Sequence, residues 1–204
     1  MTKPEILLIG GGGHCNSCID VIETGGIFKI AGIIGPSGSN FPQSILGYKT
    51  IGSDEDLENL RKEYNYALVT VGQIRSPEIR QSLFSRLKDL KFKLPSILSP
   101  LAHVSKYTVI GDGTIVMHQA IVNAGAIIGK NCILNTKCLV EHDVQVGDHT
   151  HISTASVVNG DCLIGSRCFI GSNATIVNGI NLLDGAFVKA GALICKNQKV
   201  ISKK

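Results

Sequence analysis

From Leu98 onward, an aliphatic residue recurs at every sixth position. The series runs through Val104, Ile110 and Val116 to Val188 and Ile194, seventeen positions that are all Leu, Ile or Val. Those residue types make up about a quarter of an average chain, so chance does not produce such a run. A second series starts at Ala102 and continues to Ala192 through small residues such as Thr108, Ala126, Cys132, Cys138, Ser156, Cys162 and Cys168; Val144 and Ile180 are its larger members. Each unit of six reads as a short strand and a turn, and three units close one triangular coil of about 18 residues. Coils stacked at about 4.8 Å hydrogen-bond to one another, so each covers its neighbour's edge. The aliphatic residue fills the interior of the prism and the small residue fits its crowded corner. The pattern predicts an all-β left-handed parallel β-helix, a hexapeptide repeat, over residues 96–204, with coils uninterrupted to about residue 197.

The first 95 residues carry a different pattern. Residues 6–9 form a continuous apolar run, as in a strand buried on both faces. Residues 28–35 and 66–72 read as two further strands. Residues 76–90 read as a helix with Pro77 in its first turn and Ile79, Leu83, Leu87 and Leu90 on its apolar face. This alternation predicts a small parallel sheet, hence an α/β Rossmann-like N-terminal domain over 1–95. Between the first strand and the first helix stands GGGGH, residues 10–14. Glycines let a backbone approach a diphosphate, and a helix N-terminus adds N–H donors and positive dipole. The dinucleotide fingerprint is absent, however. Its third glycine position holds Cys15 or Asn16, and IIGPSG stands where an acid would follow the second strand. The turn therefore disfavours NAD and fits a nucleotide diphosphate on a smaller ligand, with a tight unliganded turn as the alternative.

Composition narrows the classes. Net charge is +4 with no Lys/Arg run beyond Lys203 and Lys204, which argues against nucleic acid. No apolar stretch approaches the roughly 20 residues of a membrane span, and the apolar part of the N-terminus is short for a signal peptide. A cytoplasmic protein is expected. The seven cysteines are odd in number, and disulfides are not expected in that compartment. Cys15 and Cys18 form a CxxC with no second ligand pair at zinc spacing, so they read as helix packing. Cys132, Cys138, Cys162 and Cys168 fall in the small slot and read as core fillers.

The stretch EHD, residues 141–143, places His142 between Glu141 and Asp143. A histidine beside a carboxylate suits a general base with an orienting acid. In a flat strand the neighbours of His142 would point the opposite way. At a prism corner they need not, so both acids stay open. His118 and His142 are one coil plus one face apart and do not stack, so no metal is expected.

A small α/β domain fused to an uninterrupted β-helix resembles the bacterial nucleotide-sugar acetyltransferases. That family includes the bacillosamine-pathway N-acetyltransferases and the sialic acid O-acetyltransferases. The resemblance rests on GGGGH, on VGQIRSPEIR and above all on ILNTKCLVEHDVQVGDHTHISTASVVNGD, residues 133–161. It implies acetyl-CoA as co-substrate, a homotrimer and active sites between subunits. It implies that His142 is the base, oriented by Asp143 or Glu141, and that Asn135 and His151 line the same site. Gly160, Gly171 and Ala190 would meet the pantetheine arm of CoA. Gly11, Gly13, His14 and Gly72 would hold the nucleotide sugar. Two features depart from the family: Gly35, Pro36 and Ser37 stand where its UDP-binding members carry acids, and the chain ends ICKNQKVISKK instead of in a G-x-P-A type segment. The expected activity is acetyl transfer to the amino group of a nucleotide-linked amino-deoxy sugar of UDP-4-amino-sugar type, for surface glycan synthesis. O-acetylation of sialic acid or a related nonulosonate is a second reading. A non-catalytic trimeric scaffold that binds nucleotide sugar is a third.

Overall fold

The computed structural model describes residues 2–38 and 41–197. The C-terminal departure from the family pattern lies largely outside the described residues. Two compact units divide between Pro100 and Leu101.

In the first unit, β1 (Glu5–Ile9) leads through α1 (Gly13–Gly25) to β2 (Lys29–Gly35). A hairpin of β3 (Ser44–Ile45) and β4 (Tyr48–Ser53) follows, then α2 (Leu57–Glu63), β5 (Tyr66–Val69) and α3 (Glu78–Asp89). The sheet order is β3-β4-β2-β1-β5, with β3 and β4 antiparallel and the other neighbours parallel. Central β1 buries Ile6, Leu7, Leu8 and Ile9 completely, as its unbroken apolar run requires. The chain places β2 on one side of β1 and β5 on the other. Ligand sites of open α/β sheets sit at such a switch point, beyond the carboxyl ends of the strands. Gly10–Gly12 and the segment after Val69 occupy that place.

Three expectations change here. The strand expected over 66–72 ends at Val69, because Thr70 turns its hydroxyl to donate to Gly10 O at 2.6 Å. Helix α3 presents Arg80, Phe84 and Leu87 inward, while Ile79 is 64% exposed. The expected face is thus rotated, and Arg80 is satisfied by carbonyls at the end of β5. The hairpin and α2 carry no long apolar run and were not anticipated; β4 alternates half-buried and exposed positions at the sheet margin.

The second unit stacks sixteen two-residue strands on three parallel faces. The first face runs from His103–Val104 to Leu193–Ile194, the second from Val109–Ile110 to Asn181–Leu182, and the third from Ile115–Val116 to Phe187–Val188. This is the left-handed β-helix that the period of six predicts. The second residue of each strand points inward, and these residues form one core with the small-slot residues, Cys132, Cys138, Cys162 and Cys168 among them. Burial pushes the Cys138 thiol up to about 12, as expected for an inert filler.

From Gly113 to Gly191 each corner carries one left-handed residue. Positive φ recurs at fourteen positions six apart, from Gly113 to Gly191, and only five of these are glycine. The rest are held there by the stacked coils: Asp143, at φ 61°, donates its N–H to Ala124 O at 3.2 Å, and Gln145 N donates to Cys162 O at 2.9 Å. Asp and Asn tolerate this conformation better than other residues with side chains.

Candidate active site

His142 is the middle residue of the corner between the first and second faces, immediately before the left-handed Asp143. The reversal of φ at Asp143 brings two consecutive side chains to the same side of the chain. Asp143 Oδ2 lies 2.9 Å from His142 Nδ1. Glu141 is engaged elsewhere: its Oε2 accepts from Asn123 Nδ2 at 2.8 Å and from His142 N at 3.3 Å. The corner geometry therefore gives the imidazole to Asp143 and the bracing of the turn to Glu141. A neutral ring that donates through Nδ1 leaves Nε2 bare as a proton acceptor.

Two glycines make room for this pair. A Cβ on Gly160 would lie 2.7 Å from both Cε1 and Nε2 of His142, so the basic edge of the ring rests on the Gly160 backbone. A Cβ on Gly125, one coil before Asp143, would strike Asp143 Oδ1. Any side chain at either position displaces a member of the dyad.

The remaining predicted residues of this unit gather elsewhere: Asn135, Gly171 and Ala190 on the corner between the third and first faces, and His151 on a strand of the third face beside it. Asn135 Nδ2 lies 3.1 Å from His151 Nε2. His151 is only 6% exposed and meets Phe169 edge-on, with ring centroids 5.3 Å apart. Gly171 belongs to the same column of turns, and its lack of a side chain is required by the Ala190 backbone directly beneath it. One chain thus brings together His142, Asp143, Glu141 and Gly160 on one corner, and Asn135, Gly171 and Ala190 on another, with His151 on the third-face strand beside the latter. It does not unite the two sets. His149 lies on the third corner, with Nδ1 at 2.9 Å from Asn131 Nδ2. Among the described residues, no three His, Cys, Asp or Glu side chains converge as metal ligands.

In the first unit, GGGGH forms the switch-point loop and the start of α1. Gly10, at φ 106°, needs to be glycine for its conformation and because a Cβ would strike Val71. A Cβ on Gly11 would collide with Phe41 and Ile45, so packing alone accounts for that glycine. Gly12 and Gly13 instead face open space, with nothing within 4 Å of an added Cβ. The Gly72 position lies 3.4 Å from His14 Cβ, so Gly13, His14 and Gly72 line one side of the opening. A separate cavity of about 860 Å3 opens at the other end of the sheet, by the amino ends of the strands. Its polar groups pair internally, Lys29 with Glu5 and Tyr48 with Glu23, each at 2.8 Å.

Comparison with known proteins adds the chemistry. The family described as the PglD N-terminal domain matches residues 5–87, and the bacterial transferase hexapeptide family matches residues 143–178. The acetyltransferase domain of PglB from Neisseria gonorrhoeae shares 28% identity with a TM-score of 0.88, covering 97% of this chain and 94% of that one. A second structure of that domain is in complex with acetyl coenzyme A. The chain is an acetyltransferase whose second unit carries the hexapeptide repeat. Perosamine N-acetyltransferase from Caulobacter crescentus, in complex with CoA and GDP-perosamine, is also 28% identical, with a TM-score of 0.89 over 96% of this chain and 90% of that one. No curated protein matches.

In this acetyltransferase the dyad is exposed and electrostatically biased. The Asp143 hydrogen bond raises the His142 pKa above its ordinary 6.5, and the charges of Asp143, Glu141 and Asp161 add to the effect. A histidine that serves as base must be unprotonated to act, so on that reading the rate should rise with pH through this raised pKa. Asp143→Asn should move that acid limb to lower pH. It should also cost about 10²-fold or more in kcat, since an amide can hold the wrong tautomer. A pH–rate profile of both proteins checks this.

Asn123, Gly125, Thr70 and Arg80 were not singled out from the sequence. The first two sit one coil before Glu141 and Asp143, so stepping back 18 residues from the EHD motif finds them. The two first-unit residues have no comparable periodic signal.

Proposed function

We propose that the enzyme transfers the acetyl group of acetyl-CoA to the amino group of a nucleotide-linked amino-deoxy sugar, of UDP-4-amino-sugar type, in surface glycan synthesis. The observation that carries this reading is the His142–Asp143 dyad, with its Nε2 edge on Gly160, in a chain similar to two acetyltransferases crystallised with CoA ligands. The acceptor named for the Caulobacter crescentus relative is a GDP-linked sugar. Two of its structures carry substitutions at one histidine.

The amine attacks the thioester carbonyl carbon. A C–N bond forms, and the amine proton passes to His142 Nε2. Asp143 stabilises the resulting imidazolium. A backbone N–H at the coil turns, such as that of Gly160, would donate to the oxyanion. The C–S bond then breaks, and the imidazolium returns its proton to the CoA thiolate. No covalent acyl-enzyme is required. Asn135, Gly171 and Ala190 occupy a different corner, with His151 on the strand beside it, which fits the homotrimer with sites between subunits that the family resemblance implies. The first unit holds the nucleotide diphosphate against Gly13, His14 and Gly72.

Acetyl transfer read by mass spectrometry tests this. The acceptor panel is UDP- and GDP-linked amino sugars with free and CMP-linked sialic acid. One acetyl group gained on an amino sugar alone is the expected result. A gain on sialic acid would replace the reading with O-acetylation. No product with any acceptor would favour a binding scaffold. Substituting Gly13 with Trp should weaken acceptor binding about tenfold or more while leaving acetyl-CoA binding unchanged, because that position faces open space. Titration calorimetry with each ligand measures it, and equal acceptor affinity would remove the phosphate-cradle reading.

A further inference from the structure

We infer that Arg80 is a positioning residue for the acceptor: it holds the chain segment that walls the glycine-loop site. This rests on the proposal that the first unit binds the acceptor nucleotide. Arg80 is 1% exposed, in a helix whose other inward residues are apolar. Its Nη1 donates to Val69 O at 3.2 Å and to Val71 O at 2.6 Å. A guanidinium is costly to bury without such partners, and charge-assisted bonds of this kind are strong. The two carbonyls flank Thr70, where β5 leaves the sheet.

The same segment is tied from its other side. Thr70 N donates to Ile9 O at 2.9 Å, and Thr70 Oγ1 donates to Gly10 O at 2.6 Å. Val71 packs so closely on Gly10 that a Cβ there would strike it, and Gly72 stands against His14. A continuous set of contacts therefore runs from Arg80 through Val69–Gly72 to Gly10 and His14. The site's two walls, the loop after β1 and the segment after β5, take their spacing from it. A ligand in the opening senses any slackening of that spacing, whereas acetyl-CoA on the β-helix does not.

Steady-state kinetics on the full-length protein decide the matter, with acetyl-CoA and the nucleotide-linked amino sugar that the wild type acetylates fastest. Melting temperature and calorimetric binding of that sugar accompany them. Arg80→Met should raise the acceptor KM and Kd about tenfold, the scale of one charge-assisted hydrogen bond, with the acetyl-CoA KM unchanged. Arg80→Lys keeps the charge but lacks the planar fork, and should fall between. Thr70→Val should raise the acceptor KM as well, and its effect should be less than multiplicative with that of Arg80→Met, since both hold one segment.

A lower melting temperature with both KM values unchanged overturns the inference and leaves Arg80 a purely structural residue. If Arg80→Met does not fold, Arg80→Lys and Thr70→Val decide by the same criterion. Wild-type protein that binds no nucleotide-linked amino sugar overturns the acceptor reading itself, and this inference with it. Variants that match a binding-competent wild type overturn this inference alone.

Discussion

His142→Ala lowers kcat by about 10²–10⁴-fold, the usual contribution of a general base, with the β-helix intact. The side chain is 60% exposed and supports no core contact, so its removal leaves the packing of the coils untouched. What disappears is the group proposed to take the amine proton during attack. In the proposed mechanism the imidazole acts in the transition state, so kcat and kcat/KM should fall together and acceptor affinity should hold. Single-turnover rates with mass detection, alongside melting temperature, separate lost catalysis from lost structure. A variant that turns over at close to the normal rate would remove His142 from the mechanism. The proton would then have to leave by way of solvent.

The second large effect concerns a residue with no side chain. Gly160→Ala introduces a methyl group 2.7 Å from Cε1 and Nε2 of His142. Such an approach is well inside contact distance, so the ring must rotate away. Rotation breaks the 2.9 Å bond to Asp143 and points Nε2 away from the reacting amine. Misplacement of a base by about 1 Å costs on the order of 10²-fold in rate. Gly160 is not among the residues with positive φ, so alanine brings no backbone strain of its own. A fall in kcat with unchanged melting temperature is therefore the expected signature. Retained activity would mean that the imidazole is not held where Gly160 and Asp143 place it. Gly125→Ala makes a useful comparison, because there the same methyl would strike Asp143 in a left-handed backbone, and both strain and displacement contribute.

Much of the second unit was legible in advance. A coil of the β-helix contacts only its neighbours, so its packing repeats along the chain and is written as a period of six. The interior series, the small slot and the fate of Cys132, Cys138, Cys162 and Cys168 all follow from that regularity. In the first unit, the apolar run at Ile6–Ile9 and the glycine turn were equally plain, since a buried strand and a tight turn depend on few neighbours. The expected face of α3 failed because spacing alone favours Ile79 over Arg80. A hydrogen-bonded arginine is admitted to the interior only by partners on another element, here the Val69 and Val71 carbonyls.

The sequence by itself determined the fold class of each unit, the core residues of the β-helix and the EHD tripeptide proposed to carry the chemistry. Local periodicity is enough for these, because each is set by residues within about one coil or one strand. Tertiary structure alone decided that Asp143, and not Glu141, holds the imidazole. It also set the basic nitrogen on Gly160 and left Asn135 and His151 away from the dyad's corner. The reason is that a side chain's direction depends on the sign of φ at its corner and on what lies one coil away. The left-handed turn at Asp143 and the Asn123–Glu141 bond across stacked coils exist only once the prism has closed.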